Sequence, residues 1–95
     1  MLFRSRPIGV LDMRDDKGAD FKVLCVAEGD PHQAHVERLD QVRPHRLVEI
    51  EHFFQTYKLL EDKGVEINGW RDAERALEIL RHDREVWQHE QAAAR

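Results

Sequence analysis

Residues 6–26, RPIGVLDMRDDKGADFKVLCV, decide the fold. Two apolar-rich runs, 6–15 and 19–27, flank Asp16-Lys17-Gly18, and a glycine beside charged residues between two such runs is a hairpin signal. Pairing Asp15 with Asp20 would set Met13 opposite Lys22 and Leu11 opposite Leu24. The two-residue alternation of a strand then puts all six side chains on one face. Two carboxylates and an ammonium group converge at the hairpin tip. Like charges directly opposed are unfavourable, so three arrangements are open: one Asp is protonated, a cation lies between them, or the tip splays into water. A hard divalent cation would satisfy both carboxylates through oxygen ligands. A plain solvated turn accounts for the same polar residues, and spacing alone does not choose.

Downstream, residues 28–43 hold Gly29 and Pro31 and read as a connection, with Val36, Leu39 and Val42 spaced for a turn or two of helix. From Pro44, Leu47, Ile50, Phe54, Tyr57 and Leu60 recur every three or four residues, which predicts an amphipathic helix over about 45–62 ended by Lys63-Gly64. Val65 and Ile67 alternate with polar residues in a short strand leading to Gly69-Trp70. A second helix follows with Ala73, Ala76, Leu77, Leu80 and Trp87 on one face. Hairpin, helix, strand and helix in that order make an α+β chain. So few strands cannot cover both of their faces, and an uncovered hairpin edge is a pairing hazard.

Composition narrows the function. A chain of 95 residues buries only about 60–65% of the surface its unfolded form exposes, so the core is thin. Charged residues make up 36% and the net charge is -4, an acidic balance that argues against nucleic-acid and basic membrane-surface partners. Aromatic residues are not interleaved with basic ones on a strand, which weakens the reading as a nucleic-acid-binding barrel remnant. No apolar run approaches the ~18–20 residues of a membrane span. The single cysteine, Cys25, excludes an intrachain disulfide, suits a reducing cytoplasm, and is expected in the core. The histidine pairs His32/His35, His45/His52 and His82/His89 lack zinc-ligand spacings and read as surface residues. Ser5, the one serine, has no His/Asp context, so a nucleophilic enzyme is not indicated.

Beyond these readings, residues 6–26 resemble the stretch R-P-[IV]-G-V-L-x-M-x-D-x-G-x-D-x-K of soluble family I inorganic pyrophosphatases, with one additional residue between Asp15 and Gly18, as in bacterial members. HFFQTYK, residues 52–58, is similar to that family's H-F-F-x-x-Y-K, and VEINGWRDAERA, residues 65–76, to its strand, Gly-Trp and final helix. The resemblance implies part of a five-stranded antiparallel OB-like β-barrel with two flanking helices, magnesium-dependent hydrolysis of inorganic diphosphate, cytoplasmic location and, in bacteria, a homo-hexamer. It implies Asp15 and Asp20 as Mg²⁺ ligands, Asp15 and Lys22 as catalytic residues, and Lys22, Tyr57 and Lys58 as substrate-binding residues.

Without the resemblance, Tyr57 reads as a core residue with its hydroxyl at the rim, Lys58 as a solvated helix charge, Met13 as packing, and Trp70 and Trp87 as structural anchors. The family's D-x-D-P-x-D signature, which precedes the Arg-Pro segment, does not occur in these 95 residues. Residues 6–95 are therefore expected to be the C-terminal portion of one pyrophosphatase domain, inactive in isolation. Residues 1–5 are expected to be extraneous, because Leu2-Phe3-Arg4-Ser5 matches the translated end of a sequencing adapter. A non-catalytic α+β assembly or interaction module is the competing reading.

Overall fold

The computed structural model describes residues 4–61 and 64–93, with side chains up to residue 88. Strand β1 (Ser5–Asp15) turns into the two-residue β2 (Gly18–Ala19) and then β3 (Lys22–Ala27). A 3₁₀ turn (Leu39–Gln41) precedes helix α1 (Pro44–Leu60), strand β4 (Glu66–Asp72) and helix α2 (Ala73–Ala93). β1 is central: β2 and β3 pair with it on one side and β4 on the other, all antiparallel. This is the expected α+β order.

The hairpin forms, but its register differs from expectation by two residues. Asp15 faces Gly18 rather than Asp20, and Lys22 faces Leu11 rather than Met13. The cause is local: the Asp15 carboxylate accepts the Lys17 N–H at 2.9 Å, and Gly18 turns at φ +120, so the chain reverses over Asp16-Lys17 alone. An even slip leaves every side chain on its expected face. The same register sets Asp20 across from Met13, whose carbonyl accepts the Asp20 N–H at 2.8 Å. The two Asp residues thus lie diagonally, which relieves the like-charge opposition that direct pairing would impose.

β1 is buried on both faces because different layers cover them. Val10 packs against Ala76 and Ile79 of α2, with Phe21 and Val23 at the margin. A bulge between Pro7 and Gly9 turns Ile8 to the opposite face, where it meets Val26 and Val36. Leu39 of the 3₁₀ turn lies so close over Gly9 that a Cβ there would stand 2.4 Å from it, so only glycine permits the approach. Arg6 ties the connection down by donating to the carbonyls of Ala34 and Val36 at 3.2 and 3.0 Å. A second bulge, between Asp12 and Met13 against β4, falls where Gly69 takes φ +102. Helix α1 ends at Leu60, while Lys63, expected with Gly64 to end it, lies outside the described residues.

The helices depart from their expected faces. On α1, Leu47, Ile50 and Phe54 are half-buried, whereas Tyr57 and Leu60 are exposed and Lys58 is buried. On α2, Ala76 and Ile79 are buried while Leu77, Leu80 and Trp87 remain exposed. Leu77 and Leu80 each follow a buried residue by one position, about 100° further round the helix, and so fall outside the stripe that Ala76 and Ile79 press against Val10. Cys25 is exposed, contrary to expectation, because its neighbour Val26 takes the inward position on β3. His32, His35, His45, His52 and His82 are exposed as expected; the side chain of His89 lies outside the described residues, as do residues 1–3.

Candidate active site at the hairpin tip

Four charged side chains meet where the hairpin tip faces the last turn of α1. Lys58 Nζ lies 3.8 Å from an Asp15 carboxylate oxygen and 3.5 Å from one of Asp20. Lys22 Nζ lies 3.1 Å from the other Asp20 oxygen. The side chains of Asp15, Asp20 and Lys58 are 13%, 24% and 11% exposed, so the cluster sits largely out of water, while Lys22 at 35% forms its open rim. Two carboxylates and two ammonium groups balance in charge, which makes their joint burial tolerable.

Each position has a local cause. Asp15 closes β1 and is held by its hydrogen bond to the turn. Asp20 is fixed through its backbone bond to Met13. Lys22 starts β3 with its ammonium 5.2 Å from the centre of the Phe54 ring, an arrangement in which the ring face attracts the cation. Lys58, four residues after Phe54 on α1, comes from the same side of that helix. It is the single buried charged residue among those described. Solvated placement, the reading its helix position alone suggests, is thus incorrect.

Tyr57 stands apart from this cluster. Its ring stacks on Phe53 with centroids 6.2 Å apart, and its hydroxyl bonds to Glu61. That bond holds its pKa above the ordinary phenol range; the Glu61 charge adds to the shift, burial contributes less, and Lys58 opposes it. A phenol is protonated at neutral pH in any case, and the rise extends that state further into the alkaline range. Its contribution to stability is complete below the unfolded value of about 10 and is lost as pH rises through the folded value. Because Tyr57 is the only tyrosine, tyrosinate absorbance reads it alone. Glu61→Gln is expected to move the midpoint down toward 10; an unchanged midpoint would contradict the Glu61 assignment.

Beside the cluster, Phe21, Lys22, Val23, Leu24, Ile50, Phe54 and Trp70 line an open apolar groove of about 340 Å³. The Trp70 indole N–H is buried there without a partner among the described residues. Phe54 and Trp70 are neighbours of the site that motif reading left unassigned, although the aromatic two residues after His52 and the Gly-Trp pair were visible. Trp70 is half-buried, as an anchor should be, whereas Trp87 is exposed.

The donor set suits a hard cation only in part. Asp15 and Asp20 offer carboxylate oxygens on one face, the ligand type that Mg²⁺ requires. Among the described residues no group of three or more His, Cys, Asp or Glu side chains is gathered to hold a metal. No described helix is long and apolar enough to cross a membrane.

Comparison with known proteins bears on the family and the fold. The family model described as inorganic pyrophosphatase matches residues 1–88. The inorganic pyrophosphatase of Methanosarcina acetivorans is 53% identical over 75 residues, which cover 79% of this chain and 45% of the relative. The crystal structure of inorganic pyrophosphatase from Thermus thermophilus superposes with a TM-score of 0.75 at 41% identity, covering 81% of this chain and 46% of that one. Inorganic pyrophosphatase from Helicobacter pylori gives a TM-score of 0.82 at 36% identity over 88% of this chain and 51% of that one. The chain thus spans about half the length of the relatives it matches, and its open antiparallel sheet with two helices is part of their OB-like barrel. By motif, fold and extent of match, the chain belongs to the inorganic pyrophosphatase family.

Proposed function

We propose that these residues are the C-terminal portion of a magnesium-dependent enzyme that hydrolyses inorganic diphosphate to two phosphates, and that this portion alone is inactive. The observation that carries the reading is the convergence of Asp15, Asp20, Lys22 and Lys58 within 3.1–3.8 Å contacts at one largely buried point. Transfer of a phosphoryl group to water demands mainly positioning and neutralisation of charge, which a pocket of carboxylates and ammonium groups supplies.

Asp15 and Asp20 would hold Mg²⁺, which when bound supplies an acidified water and neutralises substrate oxygens. Lys22, at the exposed rim, presents its ammonium to a phosphate oxygen. Lys58 contributes a second positive charge from the α1 side, and Tyr57, protonated at neutral pH, has a hydroxyl to donate to the same phosphate once it turns from Glu61. The lone Cys25 and the absence of a long apolar helix among the described residues are compatible with a cytoplasmic enzyme. The exposed apolar side chains Val48, Phe53, Leu59 and Leu60 of α1 support homo-oligomeric assembly, a hexamer by analogy with bacterial members. The same surface favours the second reading, a module retained for assembly without catalysis.

With only two carboxylates gathered, the 95-residue chain is expected to bind Mg²⁺ weakly and to release phosphate from diphosphate at the uncatalysed rate. A phosphate-release assay with Mg²⁺ checks this. Turnover within about tenfold of an intact family member would contradict the claim that the site is incomplete.

A further inference from the structure

Lys58 occupies an unusual position. Its ammonium lies 3.8 and 3.5 Å from oxygens of Asp15 and Asp20, longer than the ~2.7–2.9 Å of a tight charged hydrogen bond. It is shared between the two carboxylates rather than docked on either. Lys22 meanwhile takes the remaining Asp20 oxygen at 3.1 Å. Lys58 thus occupies the space between the two carboxylates that would hold a divalent cation. We propose that Lys58 is the built-in counter-cation of this carboxylate pair, and that a divalent cation and the Lys58 ammonium exclude one another from it. Binding of the metal frees Lys58 for an incoming anion.

The inference rests on the proposed metal-binding role of Asp15 and Asp20 and adds a competing cation to it. In a site this buried, a double positive charge and an ammonium group within a few ångströms of each other repel strongly. Lysine yields readily, because its charge rides on a flexible four-carbon stem. Freed from the carboxylates, the ammonium stands beside the rim marked by Lys22, where a phosphate oxygen would be its natural partner. Before the metal arrives, the same lysine prevents Asp15 and Asp20 from confronting one another uncompensated. By reciprocity of the coupling, an anion that draws Lys58 away would equally strengthen metal binding.

Mn²⁺ titration of the 95-residue chain, followed by the paramagnetic resonance of the free ion, tests this. Lys58→Met is expected to tighten Mn²⁺ binding about fivefold or more, because it removes a competitor held in a partly desolvated site. Lys58→Arg, which keeps the charge, should stay near wild type. Lys17→Gln removes a charge from the exposed turn and should change the affinity less than about twofold, separating competition from general electrostatics. In the wild-type chain, the nitrogen resonance of the Lys58 ammonium, assigned by its loss in Lys58→Arg, should shift toward that of a solvated lysine as Mg²⁺ is added.

Tightening in Lys58→Met together with that shift supports the proposal. Unchanged or weaker binding in Lys58→Met, with Asp20→Asn still abolishing binding, would overturn it while leaving the metal site intact. Absence of binding in wild type and Lys58→Met alike would overturn both. Should Lys58→Met fail to fold, the wild-type ammonium resonance decides: a signal unmoved by saturating Mg²⁺ contradicts the exchange.

Discussion

Asp20→Asn, introduced where the remaining part of the site is supplied, is expected to lower kcat for diphosphate by about 10²–10³-fold, the range typical of removing one preorganised electrostatic group. Asp20 carries more than its own charge. One of its oxygens meets Lys22 at 3.1 Å and the other meets Lys58 at 3.5 Å, so the substitution leaves two ammonium groups undercompensated and removes a candidate metal ligand. Asparagine keeps the shape, and the backbone bond from Asp20 to Met13 is untouched, so the hairpin should persist. Circular dichroism checks that point, and kcat and KM at saturating Mg²⁺ check the loss. Asp16, one residue beyond Asp15 but exposed in the turn, is the internal comparison: Asp16→Asn should alter kcat less than about twofold. A loss under tenfold in Asp20→Asn would remove Asp20 from the site.

The second large effect is on stability. Leu11 is fully buried in the central strand, facing Lys22 of β3 on one side and Trp70 of β4 on the other. Leu11→Ala should cost about 2–5 kcal/mol through lost burial and the cavity left behind. A domain of this size has only about 5–10 kcal/mol to lose, so the substitution removes a large share. Urea unfolding measures it. A cost below about 1 kcal/mol would show that β1 is not the structural centre. Because Leu11 lies on the same strand face as Met13 and Asp15, the cavity should also loosen the hairpin tip and thereby the spacing of Asp15 and Asp20.

Local patterns made much of the fold legible. Alternation around Asp16-Lys17-Gly18 announced the hairpin, and a three-to-four-residue period starting at Pro44 announced α1. The hairpin register was not legible from alternation, because a side-chain bond from Asp15 to the Lys17 N–H tightens the turn to two residues. Nor was the burial of Lys58. Helical periodicity counts apolar residues, whereas Lys58 is drawn inward by two carboxylates about forty positions earlier in the chain. The same long-range pairing leaves Tyr57, one residue away, facing outward with Glu61.

Other misreadings share a geometric origin. Cys25 lies in an apolar run, yet alternation on β3 turns Val26 inward and Cys25 out. Leu77, Leu80 and Trp87 make an apolar face by spacing, but the stripe turned to the sheet is the one that holds Ala76 and Ile79. Asp15, Asp20, Lys22 and Lys58 nevertheless lie together, whereas the Tyr57 hydroxyl is bonded to Glu61.

The central claim, that this chain supplies the C-terminal part of a diphosphate-hydrolysing site, is tested most directly by a chimera in which the matched part of this chain, 81% of its length, replaces its counterpart in Thermus thermophilus inorganic pyrophosphatase. Phosphate release from diphosphate with Mg²⁺ should fall within about tenfold of the parent, since Asp15, Asp20, Lys22, Tyr57 and Lys58 stand in the order of the family motifs they resemble. A chimera that folds as the parent does, yet releases phosphate no faster than the 95-residue chain alone, would contradict the account.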